Sequence, residues 1–261
     1  MPASPTPIDS WLQALHIRHV AMYRPQEFTR ALRALSARYV ERRSTLAERS
    51  PLDSAGKRAA FAAFYAPLHL LTIREIIAAL QADRLPITRI MDLGCGTGVA
   101  GAAWALSLPQ PARILGSDMS NWALDEARWN WRQLGVRGRH ERHDMVREAV
   151  MLASEPPAEL AATGVVAGWS VNELAAGDQT RILKSLLTAH TAGASVLIVE
   201  PLARGVTPWW PDWTAAFAAA GGRADEWKFN VALPAMLAKL DDSAGFEREG
   251  LGARSLWLTA R

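Results

Sequence analysis

The chain has 261 residues, 49% hydrophobic and 21% charged, with a formal net charge of +3 and a single cysteine. That length suits one α/β domain with an appendage and supplies a substantial core, while the lone Cys95 excludes an internal disulfide and any cysteine-held cluster. No run of about eighteen apolar residues appears, and Met1–Ser10 is Pro-rich and polar rather than basic-then-apolar, so the expected location is cytoplasmic.

Residues 1–80 hold eleven Lys/Arg against six Asp/Glu, whereas residues 81–261 hold eighteen against twenty. The excess falls on a predicted helix in which Arg30, Arg33, Arg38, Arg42, Arg43 and Arg49 accompany Phe28, Leu32, Leu35 and Tyr39 at helical spacing. Such a helix packs one face and leaves the others basic, suited either to nucleic-acid phosphate or simply to water. Twenty-five Arg against four Lys also points to a compositional bias. Ala55–Ala82 reads as a long helical region, with a break expected at Pro67 and with Phe61, Phe64, Leu68, Leu70 and Leu71 directed to the core. His16 and His19 have no metal-ligand partners at suitable spacing, and no metal is expected. The chain divides into a helical region, 1–83, and a larger domain, 84–261.

Ile87–Met91 reads as a short buried strand, followed by Asp92-Leu93-Gly94-Cys95-Gly96-Thr97-Gly98 and a helix opening at Val99 on small residues. Glycines at 94, 96 and 98 let the chain turn sharply and keep side chains away from a ligand. A dinucleotide fingerprint spaces its glycines G-x-G-x-x-G, and Val99 stands where its third glycine belongs. The acid before the turn suits a ligand carrying an ammonium group, as the methionine end of S-adenosylmethionine does. Cys95 reads as a small residue filling a tight loop. With no second cysteine, neither cysteine-assisted methylation at pyrimidine C5 nor a radical iron–sulfur route is expected.

A second strand, Ala112–Asp118, ends in an acid that can accept from both ribose hydroxyls, or else caps Trp122–Leu134 together with Ser120. A third, near Arg139–His143, ends at Asp144-Met145. There an acid can accept from an adenine amino group while Met packs on the ring, although a solvated turn would look the same. Met119 and Trp169 are further cofactor candidates beside these strand ends. Arg128, Arg132, Arg137, Arg139, His140, Arg142, His143 and Arg147 form a second basic cluster, interrupted by Glu141, Asp144 and Glu148. Val165–Ser170, Ala194–Glu200, Asp225–Val231 and Arg254–Ala260 complete the predicted strands.

Over roughly residues 85–261 this pattern resembles the class I methyltransferases, the seven-stranded S-adenosylmethionine-dependent family. The resemblance implies an α/β, Rossmann-like, mostly parallel sheet with an antiparallel last strand, here preceded by an N-terminal helical region. It puts Asp92, Gly94, Gly96, Gly98 and Asp118 on the family's cofactor positions, with S-adenosylhomocysteine as product. In that fold the segment before the first strand commonly lids the site, which makes Tyr65 and His69 candidate ligand or substrate contacts. Val171-Asn172-Glu173-Leu174, Val199-Glu200-Pro201 and Ala59–Arg74 further resemble methyltransferase-like proteins that associate with the small ribosomal subunit. That likeness implies ribosomal RNA or the small subunit as partner, but the cysteine set those proteins often carry is missing here.

The acceptor pocket is expected beyond the carboxyl ends of strands four and five. Trp169, Ser170, Asn172 and Glu173 leave one strand there, and Glu200, Pro201 and Arg204 the other. Glu173 is the candidate general base and Asn172 the residue that orients the nucleophile, unless both merely shape a turn. Trp209-Trp210-Pro211-Asp212-Trp213 either stacks on a planar substrate at the rim or packs an outer helix on the sheet. The N-P-P-Y-type tetrapeptide for exocyclic amines is absent, as is a lysine-rich ribose set. The expected function is S-adenosylmethionine-dependent methyl transfer to ribosomal RNA or a ribosomal particle. The alternatives are a small-molecule N- or O-methyltransferase and a non-catalytic ribosome-assembly factor.

Overall fold

Short apolar runs become the inner strands β1 (Arg89–Leu93), β2 (Arg113–Ser117), β4 (Thr163–Gly168), β5 (Ser195–Glu200) and β7 (Leu251–Leu258), while the charged segments β3 (Arg137–Glu141) and β6 (Arg223–Phe229) form the two edges. The computed structural model describes residues 6–41 and 52–260. Its helices, in chain order, are α1 (Pro7–Leu15), α2 (Pro25–Glu41), α3 (Ala55–Ala60), α4 (Ala66–Ala79), α5 (Val99–Ser107), α6 (Asn121–Leu134), α7 (Met145–Leu152), α8 (Pro157–Leu160), α9 (Ala176–Thr191), α10 (Trp210–Ala219) and α11 (Ala235–Ala244).

The strands form one sheet in the order β3-β2-β1-β4-β5-β7-β6. β1 to β5 run parallel, and β7 is antiparallel to both β5 and β6. Strand order reverses between β1 and β4, so a crevice opens beyond their carboxyl ends, where α/β sheets bind ligands. β5 is buried along its length, as a strand covered on both faces must be, while β3 at the edge is largely exposed. Four strands, β3, β4, β6 and β7, end two residues earlier than the sequence suggests. β4 stops at Gly168 because Trp169 has φ 55°, incompatible with extended chain, and β3 stops at Glu141 because Asp144 caps α7.

The two faces of the sheet carry separate cores. One gathers residues of α4, α5, α6 and α11 with those of α1 and α2; the other gathers α7, α9 and α10. The N-terminal helices therefore share a core with the sheet. Trp11 is wholly buried and donates from Nε1 to Asn130 Oδ1 at 2.8 Å. Glu126 on α6 accepts from Arg18 at 2.8 Å and lies 3.0 Å from His19. Burial pushes its carboxyl up, but these two partners outweigh that and hold it below the usual carboxylate range. Thr6 and Asp9 close a capping box on α1.

The break expected at Pro67 does not occur. α3 and α4 join into a continuous helical run, Ala55–Ala79, through a π-turn at Phe61–Tyr65. The wider turn just ahead of Pro67 falls where the ring would otherwise clash with the carbonyl four residues back. This run is long and apolar enough to cross a membrane by length and composition, and 67% of its most apolar window is buried inside the fold. In the basic N-terminal stretch, Arg33 donates to the carbonyls of Ala244 at 3.1 Å and Ser243 at 3.3 Å, tying α2 to the end of α11. Arg30 is exposed. Arg42, Arg43, Arg49 and the side chain of Arg38 lie outside the described residues.

Candidate active site

The turn after β1 is built from left-handed backbone: Gly94, Gly96 and Gly98 have φ 63°, 52° and 75°. A Cβ on Gly94 would lie 2.8 Å from Ser170 Cβ, and one on Gly98 2.6 Å from Trp131 Nε1, so packing as well as conformation demands glycine at both. A Cβ on Gly96 would meet nothing within 4 Å. The loop is fastened from behind by α6, where Asn130 Nδ2 donates to Thr97 O at 2.9 Å and Trp131 Nε1 to Gly98 O at 2.8 Å. In front, Asp118 accepts from Gly96 N at 2.9 Å and from Ser120 N at 2.7 Å. Ser120, not Asp118, caps α6 by accepting from Ala123 N. Two of the carboxylate's lone-pair sites are thus used locally, and the others remain to accept hydroxyls.

A cavity of about 930 Å³ opens in front of this loop. At one end it is lined by Gly94, Cys95, Gly96, Asp118, Met119, Asp144 and Met145. Asp144 accepts from the Val146 and Arg147 amides at 2.9 and 3.0 Å as the α7 cap, and Met145 is buried beside it, whereas Met119 is half exposed. Burial pushes the Cys95 thiol well above its ordinary range, which disfavours the thiolate.

Two residues expected at the cofactor lie elsewhere. Asp92 is wholly buried beneath the loop and does not line the cavity; its Oδ2 accepts from Gly101 N at 2.8 Å, and its Oδ1 has no hydrogen-bond partner among the described residues. Burial raises its carboxyl to about 7, against the Gly101 hydrogen bond and with help from the Asp118 charge. Gly98 likewise faces Trp131 rather than the cavity.

The other end of the cavity is assembled from side chains of distant segments, with Tyr65, His69, Trp169, Asn172, Glu173 and Arg248 on its walls. Trp169 keeps its left-handed φ while its N–H donates to Val199 O at 2.8 Å, and its ring stacks on His69 at 3.8 Å with 7° between planes. A bulky residue at positive φ is a strained one, held here by that stack and hydrogen bond. Burial, with the Arg248 charge, depresses His69 to about 3, so its imidazole is neutral at physiological pH. Burial also pushes the Tyr65 hydroxyl up, opposed by hydrogen bonds with Ser36 and Arg248. The Arg248 guanidinium sits 5.4 Å from the Phe64 and Phe246 ring centres and 5.9 Å from Tyr65, and pairs with Asp241 at 3.1 Å.

Glu173 is exposed to the cavity, and the protein that surrounds this opening, together with the Asp118 charge, raises its carboxyl to about 7. Asn172 donates from its backbone N–H and its Nδ2 to Glu200, at 3.2 and 2.7 Å.

Glu200 itself lies behind Asn172, wholly buried and off the cavity wall, with its carboxyl raised to about 8 by burial. Arg204 is at the surface, paired with Glu226 at 3.2 Å. Trp209 and Trp210 pack with Trp213 and Phe217 into the core beneath α10, and Trp210 lies under Arg254 at 4.3 Å. Large flat apolar rings gain more from that closed layer than from a wet rim. Sequence reasoning missed Arg248, Phe61 and Trp122 on the cavity wall. Trp122, four residues beyond Asp118 in the first turn of the following helix, carried a usable signal; Arg248, in the connection before β7, carried none.

The glycine turn after β1, the acids that follow β2 and β3, and the strand order together define a class I methyltransferase fold. Residues 74–161 match the family model of the methyltransferase small domain. Over 77 residues, 29% of this chain, the sequence is 42% identical to the ribosomal RNA large subunit methyltransferase G of Ectopseudomonas mendocina, and over 73 residues equally so to that of Stutzerimonas stutzeri. The match spans about a fifth of these curated relatives, 19% and 18% of their lengths. Among solved structures, a candidate O-methyltransferase of Nostoc punctiforme superposes with TM-score 0.52 at 14% identity, covering 89% of this chain and 69% of that one. An O-methyltransferase family protein of Burkholderia thailandensis gives 0.50 at 13%, covering 97% and 71%. At such identities these structures speak for the fold alone.

Proposed function

We propose that the chain is an S-adenosylmethionine-dependent methyltransferase whose acceptor is ribosomal RNA. The observation that carries the reading is one continuous cavity running from the glycine turn and Asp118 to the raised carboxyl of Glu173. The residues suit the cofactor: Gly96 leaves its approach open, Asp118 has spare acceptor sites for the ribose, and Asp144 and Met145, on the same cavity wall, have the chemistry to take an adenine's amino group and ring. Asp92 acts indirectly, bracing Gly101 at the start of α5. When bound, S-adenosylmethionine supplies a methyl group on an electrophilic sulfonium. The protein's own work is alignment of the acceptor and handling of its proton. Glu173 takes that proton, and Asn172, fixed through Glu200, steers the donor group. For the RNA substrate, support comes from the curated relatives, which are named for the large ribosomal subunit. We therefore favour large-subunit RNA over the small-subunit particle that the narrower sequence likeness suggests.

A second reading, a small aromatic acceptor, is favoured by the aromatic lining of the acceptor end, where Phe61, Tyr65, His69 and Trp169 meet. Incubating the protein with methyl-labelled cofactor and either ribosomal RNA or a panel of phenols and heteroaromatic amines separates the two. Label in RNA that disappears with Glu173→Gln supports the first. Label only in small molecules transfers the proposal to the second, and none anywhere despite cofactor binding points to an assembly factor.

A further inference from the structure

In the sequence, the basic cluster at the end of α6, β3 and the start of α7 is interrupted by three acids, which argues against a cationic surface. In the structure each of these acids is engaged locally, and none of them pairs with the guanidinium group of a remaining arginine among the described residues. Glu141 pairs with Arg139 at 3.0 Å, Glu148 lies 3.0 Å from the His143 ring nitrogen, and Asp144, exposed at the cavity, accepts from the Val146 and Arg147 amides as the cap of α7. Arg137, Arg142 and Arg147 are exposed, and none makes an ion pair among the described residues.

Their placement follows from register. Arg137 pairs with Arg113 and Arg139 with Leu115, and Leu115 packs on the α7 side of the sheet. Arg137, Arg139 and Glu141 therefore share the α7 face, while Gly138 and His140 face Trp131 on α6. Arg147 lies on α7 itself. Arg142 follows the last residue of β3, and its Nε donates to Met119 O at 3.1 Å. Met119, His143 and Asp144 line the cavity, so the row of arginines ends at its mouth.

We infer that this β3 edge is the docking surface for the RNA acceptor strand, with Arg137, Arg142 and Arg147 taking backbone phosphates on the way to the cavity. The inference rests on the proposed RNA substrate. RNA is the occupant because the free charges are guanidinium groups, which grip phosphate in bidentate geometry, and because the row leads to the site where chemistry is proposed. The bland competitor is an edge strand charged only to prevent sheet-to-sheet aggregation.

The test is binding of polyuridylate at rising potassium chloride by the full chain, by Arg137→Ser/Arg142→Ser/Arg147→Ser, and by Arg84→Ser/Arg181→Ser/Arg223→Ser, which removes equal charge elsewhere. Melting curves check folding, and single Ser variants replace the triple if it melts early. The expected result is a loss of roughly tenfold or more in the first variant, with a log–log salt slope shallower by about 2, and little change in the second. Equal losses in both variants, or none in either, would overturn the assignment. So would polyglutamate binding as tightly as polyuridylate, which would point to an acidic protein partner. Cofactor titration of the same samples keeps the outcomes distinct: RNA binding that fails while cofactor still binds sinks this surface and the RNA substrate, not the methyltransferase reading.

Discussion

The two ends of the cavity are made in different ways. The end proposed for the cofactor is largely backbone: three left-handed glycines, a helix start, and two acids that follow strands and are held by main-chain N–H groups. The end proposed for the acceptor is side chains gathered from the π-turn and α4, the end of β4 and the connection before β7. Backbone sites tolerate little variation in local residue type, whereas a side-chain wall can be rebuilt without disturbing the loop. A common cofactor cradle can therefore serve different acceptors.

If that contrast holds, changes at the two ends fail in different ways. The largest effect is expected for Glu173→Gln, which should cut methyl transfer by roughly 10²–10⁴ while leaving cofactor affinity unchanged, measured by label incorporation and calorimetry. Because the wild-type carboxyl is raised to about 7, the wild-type rate should climb with pH through neutrality as Glu173 ionises. A similar climb in Glu173→Gln would assign the proton to another group. Next comes Gly98→Ala, which forces a side chain onto Trp131 at positive φ. A loss of about 2–4 kcal/mol in urea unfolding is expected, since both strain and overpacking contribute.

A subtler effect concerns two buried carboxyls, Asp92 and Glu200, raised to about 7 and about 8. In the unfolded chain both titrate near 4. Between those values the folded protein binds more protons, so their contribution to stability falls as pH rises from about 4 to about 8. Unfolding at about pH 5 and pH 8 should show Glu200→Gln losing less stability over that interval than wild type does; a parallel loss would mean the carboxyl is not raised. The smallest effect is expected for Arg204→Ala, whose exposed pair with Glu226 should leave stability within about 0.5 kcal/mol and methyl transfer unaltered. A large loss of activity would return Arg204 to the site.

Legibility in the sequence divides along the same line. All seven strands could be read, with small shifts, because burial and glycine punctuation leave a local trace, and the turn at 94–98 was visible for that reason. Side-chain destinations left weaker traces. Asp92 matched the family position yet turns under the loop to Gly101, and Glu200 ends its strand facing Asn172 rather than the cavity. The Trp209–Trp213 cluster reads equally well as rim or core until α10 is seen lying on the sheet. Arg248 reaches the site only because β7 inserts between β5 and β6, a tertiary fact with no local spacing to announce it. The π-turn before Pro67 is similar, since propensity foretells a break while packing keeps the helix whole.

The central claim is that the glycine turn and Asp118 hold S-adenosylmethionine, and calorimetric titration of the full chain and of Asp118→Ala tests it most directly. Binding near micromolar, about −8 kcal/mol, that weakens at least about tenfold in the variant is the expected result. A folded protein that binds neither S-adenosylmethionine nor S-adenosylhomocysteine, or binds equally well without the Asp118 carboxylate, would contradict it.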